Sequence, residues 1–284
     1  MIGIRRVVRR GEGFPRLLGA IHDPPPQLFL RGQGERGTLD RPAVAIVGAR
    51  SCSAYGRSVA RTLGRELAAA GLVVVSGMAR GIDGEAHRGA LEAGGVTVAV
   101  LGCGIDRDYP AAHADLAGRI CERGLVVSEY EPGVEPAPWR FPARNRIIAG
   151  LCSATVIVEA RERSGALITA DFALEEGRDV LVVPGEITSA LSAGTNALLK
   201  LGAAPVTKVE DVLELFDLAR VEPARTSLSP AAEALLALLA SGPLTGDELT
   251  RAAGTLPSEG SAALLELELA GSVTLEDGVY RSRI

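Results

Sequence analysis

The residues from Phe141 to Leu151 include the side chains best suited to hold a phosphate chain. They read Phe-Pro-Ala-Arg-Asn-Arg-Ile-Ile-Ala-Gly-Leu. A guanidinium carries a fixed charge and a planar fork of donors that fits phosphate oxygens, and the ring of Phe141 offers a flat face on which an unpaired base can stack. We expect a helix that begins near Pro142, whose free N–H groups also favour anions. The residues expected in its first turn are Arg144, Asn145 and Arg146. The alternative interpretation is a helix start with two solvated arginines.

Short apolar runs rich in β-branched residues alternate with helical stretches between residues 42 and 210. Nearly continuous apolar runs are typical of strands that are covered on both faces. This rhythm predicts an α/β fold with a doubly wound, mainly parallel, extended Rossmann-like sheet. The predicted strands are Val44–Val47, Leu72–Val75, Val96–Leu101, Leu125–Val127, Thr155–Val158 and Val180–Val183. The predicted helices between them are Gly56–Ala70, Gly84–Ala93, Ala112–Arg123, Pro142–Leu151 and Ala166–Glu176.

Several of these strands end in turns that contain glycine. In open α/β sheets the ligand crevice lies outside the carboxyl ends of the strands, so these turns gather where a ligand is expected. A single turn of this kind is often only structural, but several at one edge favour a pocket of backbone amides that holds an anion. The turns are Gly48-Ala49-Arg50, Ser76-Gly77-Met78-Ala79-Arg80-Gly81, Gly102-Cys103-Gly104 and Pro184-Gly185.

The segment Ser164-Gly165-Ala166-Leu167-Ile168-Thr169 resembles a further helix N-terminus, with Ser164 as an N-cap or as an anion ligand. After Gly81 another helix starts, for which Asp83 is a plausible N-cap. The chain contains no GxxxxGK[ST], GxGxxG, GxSxG or HExxH pattern. An anion pocket without a nucleophile, an acid/base pair or a metal favours a binding module over an enzyme. We expect no cofactor and no metal.

Composition bounds the class of protein. The chain has 284 residues, 47% of them hydrophobic, and a formal net charge of −5, which argues against DNA binding through bulk charge. No apolar run is long enough to span a membrane. The N-terminus does not resemble a signal peptide, and four scattered cysteines fit a reducing compartment, so we expect a cytoplasmic protein without membrane contact.

The C-terminal part differs in character from the rest. We divide the chain into an N-terminal extension (1–40), a Rossmann-like domain (41–219), a linker (220–230) and a small winged-helix-like domain (231–284). The last of these combines three helical runs with a hairpin-like end that turns at Asp277-Gly278. Its expected recognition helix, Ser258–Ala270, carries three glutamates and no basic residue, which favours protein docking or a structural role over DNA reading.

Taken together, these segments resemble the DNA-processing protein A (DprA/Smf) family, over about residues 14–216. The matching segments include Asp-Pro-Pro-Pro-Gln-Leu-Phe-Leu-Arg-Gly (23–32), Val-Ala-Ile-Val-Gly-Ala-Arg (44–50), Ser-Gly-Met-Ala-Arg-Gly-Ile-Asp (76–83), Val-Leu-Gly-Cys-Gly-Ile-Asp…Tyr-Pro (100–110), Ser-Glu-Tyr (128–130), Phe-Pro-Ala-Arg-Asn-Arg-Ile-Ile-Ala-Gly-Leu (141–151), Ser-Gly-Ala-Leu-Ile-Thr-Ala (164–170), Val-Pro-Gly (183–185) and Gly-Thr-Asn (194–196). The resemblance implies a homodimer that binds and protects incoming single-stranded DNA and helps to load the RecA recombinase during natural transformation.

The resemblance also implies a set of DNA contacts. Arg50 and Arg80 would contact phosphates beside the Ser76-Gly77 turn, and Phe141 would stack on a base. The residues that would complete the pocket are Arg144, Asn145, Arg146 and Ser164. Family members often have a lysine three residues before the phenylalanine. This chain has Pro138 there, and we expect Arg140 to supply the charge instead.

Two other functions stay open at the level of the sequence. One is a nucleotide-processing enzyme of the Rossmann-type phosphoribohydrolase kind, for which Pro184-Gly185-Glu186 and Gly194-Thr195-Asn196 give only a partial pattern. The other is a duplex-DNA transcription factor that acts through the C-terminal domain, and the acidity of that domain argues against it. The family often carries an N-terminal helical module, whereas only about 20 residues precede the first matching segment here.

Overall fold

The apolar runs form the centre of one large sheet. The computed structural model describes residues 3–220, 228–240, 242–276 and 278–282. Within these ranges the first part of the chain contains a nine-stranded sheet. Its strands are β1 (Ile4–Val8), β2 (Gln27–Arg31), β3 (Ala43–Val47), β4 (Val73–Ser76), β5 (Thr97–Leu101), β6 (Leu125–Ser128), β7 (Ala154–Ile157), β8 (Asp179–Val182) and β9 (Ala204–Pro205).

Strand order gives the sheet a switch point between β3 and β7. The order is β1-β2-β6-β5-β4-β3-β7-β8-β9, and every pair from β6 to β9 is parallel. From β3 the chain builds outward through β4 to β6 on one side, and from β7 it builds outward on the other. A ligand crevice is expected outside the carboxyl ends of the strands at such a point. The predicted doubly wound, mainly parallel sheet is confirmed.

Helices cover both faces of the sheet. Those of the first unit are α1 (Arg16–Gly19), α2 (Ala54–Ala69), α3 (Ile82–Glu92), α4 (Ala114–Arg123), α5 (Arg140–Leu151), α6 (Gly165–Glu175), α7 (Ala193–Lys200) and α8 (Glu210–Leu213). Alternate residues of β3 point to opposite faces. Ala45 and Val47 pack with α1, α5 and α6, whereas Val44 and Ile46 pack with α2 and α3. This explains why the strands read as unbroken apolar runs.

The N-terminal segment belongs to the sheet. Strand β1 pairs antiparallel with β2, and β2 pairs antiparallel with β6. The chain divides into two compact units, Met1–Val221 and Glu222–Ile284. The predicted extension 1–40 therefore does not coincide with a structural boundary, because its strands complete one edge of the sheet. The division itself falls inside the predicted linker 220–230, of which residues 221–227 lie outside the described residues.

The second unit has the three helices and the hairpin that the sequence predicts. Its elements are α9 (Pro230–Leu239), α10 (Gly246–Ala253), α11 (Pro257–Leu269), β10 (Val273–Glu276) and β11 (Val279–Ser282). Strands β10 and β11 pair antiparallel, and Asp277 of the predicted turn lies outside the described residues. Leucines of α9, α10 and α11 form a separate core, to which Leu235, Leu249 and Leu267 contribute.

None of the helices in the described part of the chain combines the length and the apolar character that crossing a bilayer requires.

Candidate nucleic-acid interface

A cleft opens at the switch point between β3 and β7. Its volume is about 270 Å³, just below the ~300–1,000 Å³ of typical small-molecule pockets. One wall follows the end of β3, the second is α5 and the third is the start of α6. The lining residues are Val47, Gly48, Arg50, Ala79, Asp83, Phe141, Pro142, Arg144, Asn145, Ile148, Ser164, Gly165, Ala166 and Thr169.

The loop that carries Arg50 is fixed by a buried carboxylate. Glu159 lies just beyond the end of β7 and is only 4% exposed. The backbone N–H of Ser53 donates to Glu159 Oε2 at 2.9 Å, the Ser53 hydroxyl bonds to Glu159 Oε1, and Ala49 N donates to the Glu159 carbonyl at 2.7 Å. These bonds join the turn after β3 to the end of β7. Arg50 therefore extends over the cleft from a fixed backbone.

Aromatic and guanidinium planes lie over one another at the rim. The Cζ atom of Arg50 is 5.3 Å from the ring centroid of Phe141. Phe141 in turn stacks on Tyr109, with centroids 5.3 Å apart and an interplanar angle of 25°. Arg50 is exposed and forms no ion pair within the part of the chain that the structure describes. Its charge is thus available to a phosphate beside the ring.

Arg144 lines the cleft but is almost fully buried. Its Nη1 donates to the carbonyl oxygens of Gly77, at 2.7 Å, and of Val100. Its exposed fraction is 4%. Burial lowers the pKa of Arg144 to about 10, and the nearby Asp83 carboxylate opposes that shift. The guanidinium therefore fastens α5 to the ends of β4 and β5, and only Nη2 has no hydrogen-bond partner among the described residues.

Asn145 connects α5 to the start of α6. Its Nδ2 donates to the Gly165 carbonyl at 3.0 Å, and its Oδ1 accepts from Arg144 Nε at 3.2 Å. Ser164 is the N-cap of α6, because its hydroxyl oxygen accepts a bond from Ala166 N at 3.3 Å. The N-terminal end of an 11-residue helix therefore faces the cleft, where the Gly165 N–H and the helix dipole favour an anion.

The Ser76-Gly77 turn lies beneath the cleft and does not line it. Ser76 is fully buried, and its hydroxyl donates to the Ile46 carbonyl at 2.6 Å. Gly77 needs the absence of a side chain, since an added Cβ would lie 2.5 Å from Arg144 Nη2 and 2.7 Å from Asp83 Oδ2. Both residues thus act as structural supports of the site.

Asp83 is not the N-cap that the sequence predicts. The N-cap of α3 is Gly81, which has φ +77, and Asp83 lies inside the helix. Its Oδ2 accepts bonds from the backbone N–H groups of Gly77 and Ala79, at 3.1 and 3.3 Å. Burial raises the pKa of Asp83, while the charge of Arg144 and these two bonds lower it. The carboxylate orders the turn after β4.

The start of α5 differs from the prediction by two residues. The helix begins at Arg140, with Trp139 as N-cap, and not near Pro142. Arg144, Asn145 and Arg146 therefore lie in the second turn, and their side chains, not the free N–H groups of the first turn, reach their partners. The predicted first-turn placement is wrong because Arg140 and Phe141 already adopt helical geometry ahead of the proline, which suits a helix's first turn.

Besides Ser76 and Gly77, three predicted site residues lie away from the cleft lining. Arg80 is exposed on the turn after β4. Arg140 lies over the rings of Tyr130 and Trp139, with Cζ 5.0 and 4.8 Å from their centroids. Arg146 forms ion pairs with Asp23 at 3.0 Å and Glu129 at 2.7 Å. The charge of Arg146 is already neutralised there, so the structure does not bring it together with Arg50.

The structure adds residues that the sequence analysis did not predict as site residues. Glu159 and Asp83 position the two turns, and Tyr109, Tyr130 and Trp139 surround the start of α5. Tyr109 and Tyr130 stand inside or beside segments that carry the family resemblance, and Trp139 precedes the arginine-rich stretch directly. These three positions could therefore have been selected from the sequence. Their contacts could not, because they join residues that follow different strands.

Two residues of the partial phosphoribohydrolase pattern, Gly185 and Asn196, hydrogen-bond to each other. Asn196 donates from Nδ2 to the Gly185 carbonyl at 3.0 Å and accepts from Gly185 N at 3.3 Å. Neither residue lines the cleft. Among the described residues there is no group of three or more His, Cys, Asp or Glu side chains arranged to hold a metal.

Comparisons with known proteins agree with these features. The sequence model of the DNA recombination-mediator protein A family matches residues 5–217, and the sequence model of the DprA winged helix domain family matches residues 219–278. The chain is 48% identical over 206 residues to the DNA processing protein DprA of Streptococcus pneumoniae, covering 72% of this chain and 71% of that protein. It is 41% identical over 284 residues to protein Smf of Escherichia coli, covering 95% and 75%.

Two solved structures have the same fold. DprA from Streptococcus pneumoniae superimposes with a TM-score of 0.71 at 44% identity, over 74% of each chain. DNA processing protein A from Helicobacter pylori, whose single-stranded DNA binding mode has been described structurally, gives 0.69 at 32% identity, over 77% of this chain and 98% of that one. The sheet, the winged helix and the sequence matches lead to one conclusion: the chain belongs to the DNA recombination-mediator protein A (DprA/Smf) family.

Proposed function

We propose that the protein binds single-stranded DNA in the cleft between β3, α5 and α6. The observation that carries this proposal is the juxtaposition of an unpaired guanidinium, an aromatic face and a helix N-terminus around one opening. Arg50 supplies charge, Phe141 supplies a stacking surface, and the start of α6 supplies the Gly165 N–H and the helix dipole for a phosphate. The single-stranded DNA binding of the Helicobacter pylori relative supports the same ligand.

The preference for an unpaired strand follows from the shape of the site. A base in a duplex is stacked and paired, so its face cannot lie against Phe141 without unstacking. The second unit supplies little attraction for a duplex, because α11 carries Glu259, Glu266 and Glu268 and no basic residue. Its exposed Leu265 and Leu269 fit a protein contact better than a phosphate chain.

The broader role that we propose is that of a recombination mediator. The protein protects incoming single-stranded DNA in the cytoplasm, helps to load the RecA recombinase during natural transformation, and acts as a homodimer without enzymatic turnover. Family membership supports this role. Light scattering tests the dimer, and the lag of RecA assembly on single-stranded DNA tests the loading. A monomer, or a lag that the protein does not shorten, would contradict the respective part.

Fluorescence anisotropy with labelled single- and double-stranded oligonucleotides across a salt series tests the binding site. For Arg50→Ala we expect weaker binding to poly-dT and a log–log salt slope lower in magnitude by about 0.7, because one phosphate contact is lost. Arg146→Ala removes a charge that Asp23 and Glu129 already neutralise, so the slope should stay unchanged.

Arg119 is a suitable control because it is exposed on α4, outside the cleft lining. Arg119→Ala should bind as the unaltered protein does. Equal slopes for Arg50→Ala and Arg119→Ala would remove the cleft from the proposal. Release of free base from nucleoside monophosphates would instead support the phosphoribohydrolase alternative.

A further inference from the structure

A second layered group of side chains adjoins the cleft at the start of α5. The Arg140 guanidinium lies 4.8 Å from the ring of Trp139 and 5.0 Å from the ring of Tyr130. A hydrogen bond from Arg140 Nη1 to the Glu135 carbonyl holds its fork in place. These three residues, which we call the Trp139 layer, repeat the guanidinium-on-ring arrangement that Arg50 forms with Phe141 in the cleft.

The aromatic residues of the chain are unevenly distributed. It contains ten in total: four Tyr, five Phe and one Trp. Four of them, Tyr109, Tyr130, Trp139 and Phe141, surround the first turn of α5. Trp139 is the N-cap residue of α5, but its side chain forms no capping hydrogen bond. The residue is 63% exposed. The Arg140 guanidinium lies over the Trp139 ring, and no second ring or cation among the described residues covers the exposed remainder, which leaves a stacking surface open to a ligand.

We propose that the Trp139 layer is a second base-stacking position, which holds an unpaired nucleobase next to the one at Phe141. This inference rests on the proposed function and deepens it, because it makes the site hold a run of bases. Aromatic rings and arginine planes accept any base on their faces, so the position adds affinity without sequence preference.

A nucleobase fits the Trp139 layer better than a protein side chain does. Trp, Tyr and Arg are also common at the centres of protein interfaces. There, however, they fill pockets in a dry, closely packed surface, whereas Trp139 stands open beside a charged cleft. In the Trp139 layer the Arg140 guanidinium lies over two aromatic rings. Aromatic rings and guanidinium groups are both favourable stacking partners for an unstacked base. Chain continuity through Arg140 and Phe141 brings this position directly to the cleft.

The intrinsic fluorescence of the full chain tests the inference directly, because Trp139 is the only tryptophan in the sequence. Titration with a dT oligonucleotide should quench this fluorescence, with a midpoint equal to that of anisotropy measured on the same labelled strand. An oligonucleotide of equal length with abasic sites keeps the phosphates but offers no base, and it should leave the fluorescence unchanged.

Substitutions supply the second readout. Trp139→Ala should weaken dT binding by about ten-fold, the effect of losing one stacked base, with an unchanged salt slope. Trp139→Phe keeps an aromatic face and should recover most of that affinity, whereas Trp139→Leu keeps only apolar bulk and should not. Since Trp139 is exposed, none of these changes removes a core contact.

The outcomes separate this inference from the proposed function. If the unaltered protein does not bind dT, the proposed function fails. If Arg50→Ala and Phe141→Ala weaken binding while Trp139→Ala binds normally, only the second stacking position is overturned. Fluorescence that stays constant at saturating dT overturns it as well. Quenching by the abasic strand as strong as that by dT would show that phosphates, not bases, reach the tryptophan, and would equally overturn it.

Discussion

The arginines around the site differ in what each guanidinium already contacts. Arg50 is exposed against a ring, Arg144 is buried on two carbonyls, and Arg146 is paired with two carboxylates. A cation that is already neutralised has little charge left for a phosphate, whereas an unpaired cation exchanges counterions for one. The sequence presents Arg144 and Arg146 as equivalent, because their different partners lie far away along the chain.

Arg144 is expected to matter for stability as well as for binding. In Arg144→Ala the carbonyls of Gly77 and Val100 lose their donors in a buried place, which costs about 1–3 kcal/mol of unfolding free energy. Urea denaturation measures this loss, and Arg119→Ala is the exposed control. We also expect weaker binding to poly-dT, since the turn after β4 loses its anchor. An Arg144→Ala protein as stable as the control would contradict this role.

His87 makes stability depend on pH. Its ring is fully buried, and the Thr97 hydroxyl donates to the Val74 carbonyl at 2.6 Å. That hydroxyl oxygen can therefore accept the Nδ1–H of His87, 2.7 Å away, in the neutral tautomer. Burial lowers the pKa of His87 to about 3, helped by the charges of His113, Arg144 and Arg88. The folded protein thus keeps a neutral ring where the unfolded chain takes up a proton.

The sign of the effect follows from this difference in proton uptake. Below about pH 6.5 the unfolded state binds more protons, so the free energy of unfolding falls as the pH falls, by about 2 kcal/mol at about pH 5. His87→Asn keeps a donor toward Thr97 but does not titrate. Its loss of stability between about pH 7.5 and about pH 5 should be smaller by that amount. Equal losses in denaturant titrations of both proteins would refute the assignment to His87.

At the scale of elements, α2 and α3 lie unusually close together because glycines face the partner helix. A Cβ added at Gly89 would lie 2.0 Å from the Arg61 carbonyl oxygen, and one at Gly64 would lie 2.3 Å from that of Ala86. This contact fixes the position of α3, whose Asp83 lines the cleft. Small residues in these helices therefore serve the geometry of the site.

Two alanine substitutions in helices should have opposite effects. Gly89→Ala forces α2 and α3 apart, and overpacking of this kind costs about 1–3 kcal/mol. Gly118→Ala lies in α4 with nothing within 4 Å of the new methyl group, so it should raise stability by about 0.5–1 kcal/mol through helix propensity alone. Thermal unfolding of both variants checks the pair. A Gly89→Ala protein that is stabilised as well would contradict the close packing.

The sequence predicts the parallel core of the sheet well, because strands buried on both faces are unbroken apolar runs. All six predicted strands are present, with ends shifted by one residue or less. The sequence does not predict strands β1, β2 and β9. The exposed positions of β1 include Ile4, Arg6 and Val8. Strands β1 and β9 lie at the edges of the sheet and are covered on fewer sides, so their composition carries a weaker signal. Strand β2 is placed by its pairing with β1 and β6, which no local pattern reports.

The candidate site was predictable in part. The residues that line the cleft lie at the ends of strands and at helix starts, where topology alone brings them together. Side-chain chemistry, the turn and helix-start patterns and the family resemblance selected Arg50, Phe141, Arg144, Asn145 and Ser164, and all five line the cleft. The sequence could not show that the Arg144 guanidinium donates hydrogen bonds to backbone carbonyls inside the protein. That depends on side-chain contacts between α5 and the ends of β4 and β5.

At the scale of the whole molecule, the two units differ in net charge. From Ser227 to Ile284 there are eight acidic and three basic residues, which give −5, so residues 1–226 sum to zero. Any positive charge that attracts a polyanion is therefore local, as at the cleft of the first unit. The acidic second unit repels a polyanion, and we expect it to contribute to protein contacts or to structure.

Separation of the units tests this division of labour. We expect residues 1–221 to bind poly-dT within about two-fold of the affinity of the whole chain, because the cleft lies entirely in this unit and the acidic unit contributes no phosphate contact. Residues 222–284 alone should not shift duplex DNA in a gel at about 0.1 M salt, since α11 brings no cation to the phosphates. Circular dichroism verifies that both fragments are folded. A duplex shift by residues 222–284 would restore DNA reading as a role of the winged helix, and loss of dT binding by residues 1–221 would mean that the cleft is incomplete without it.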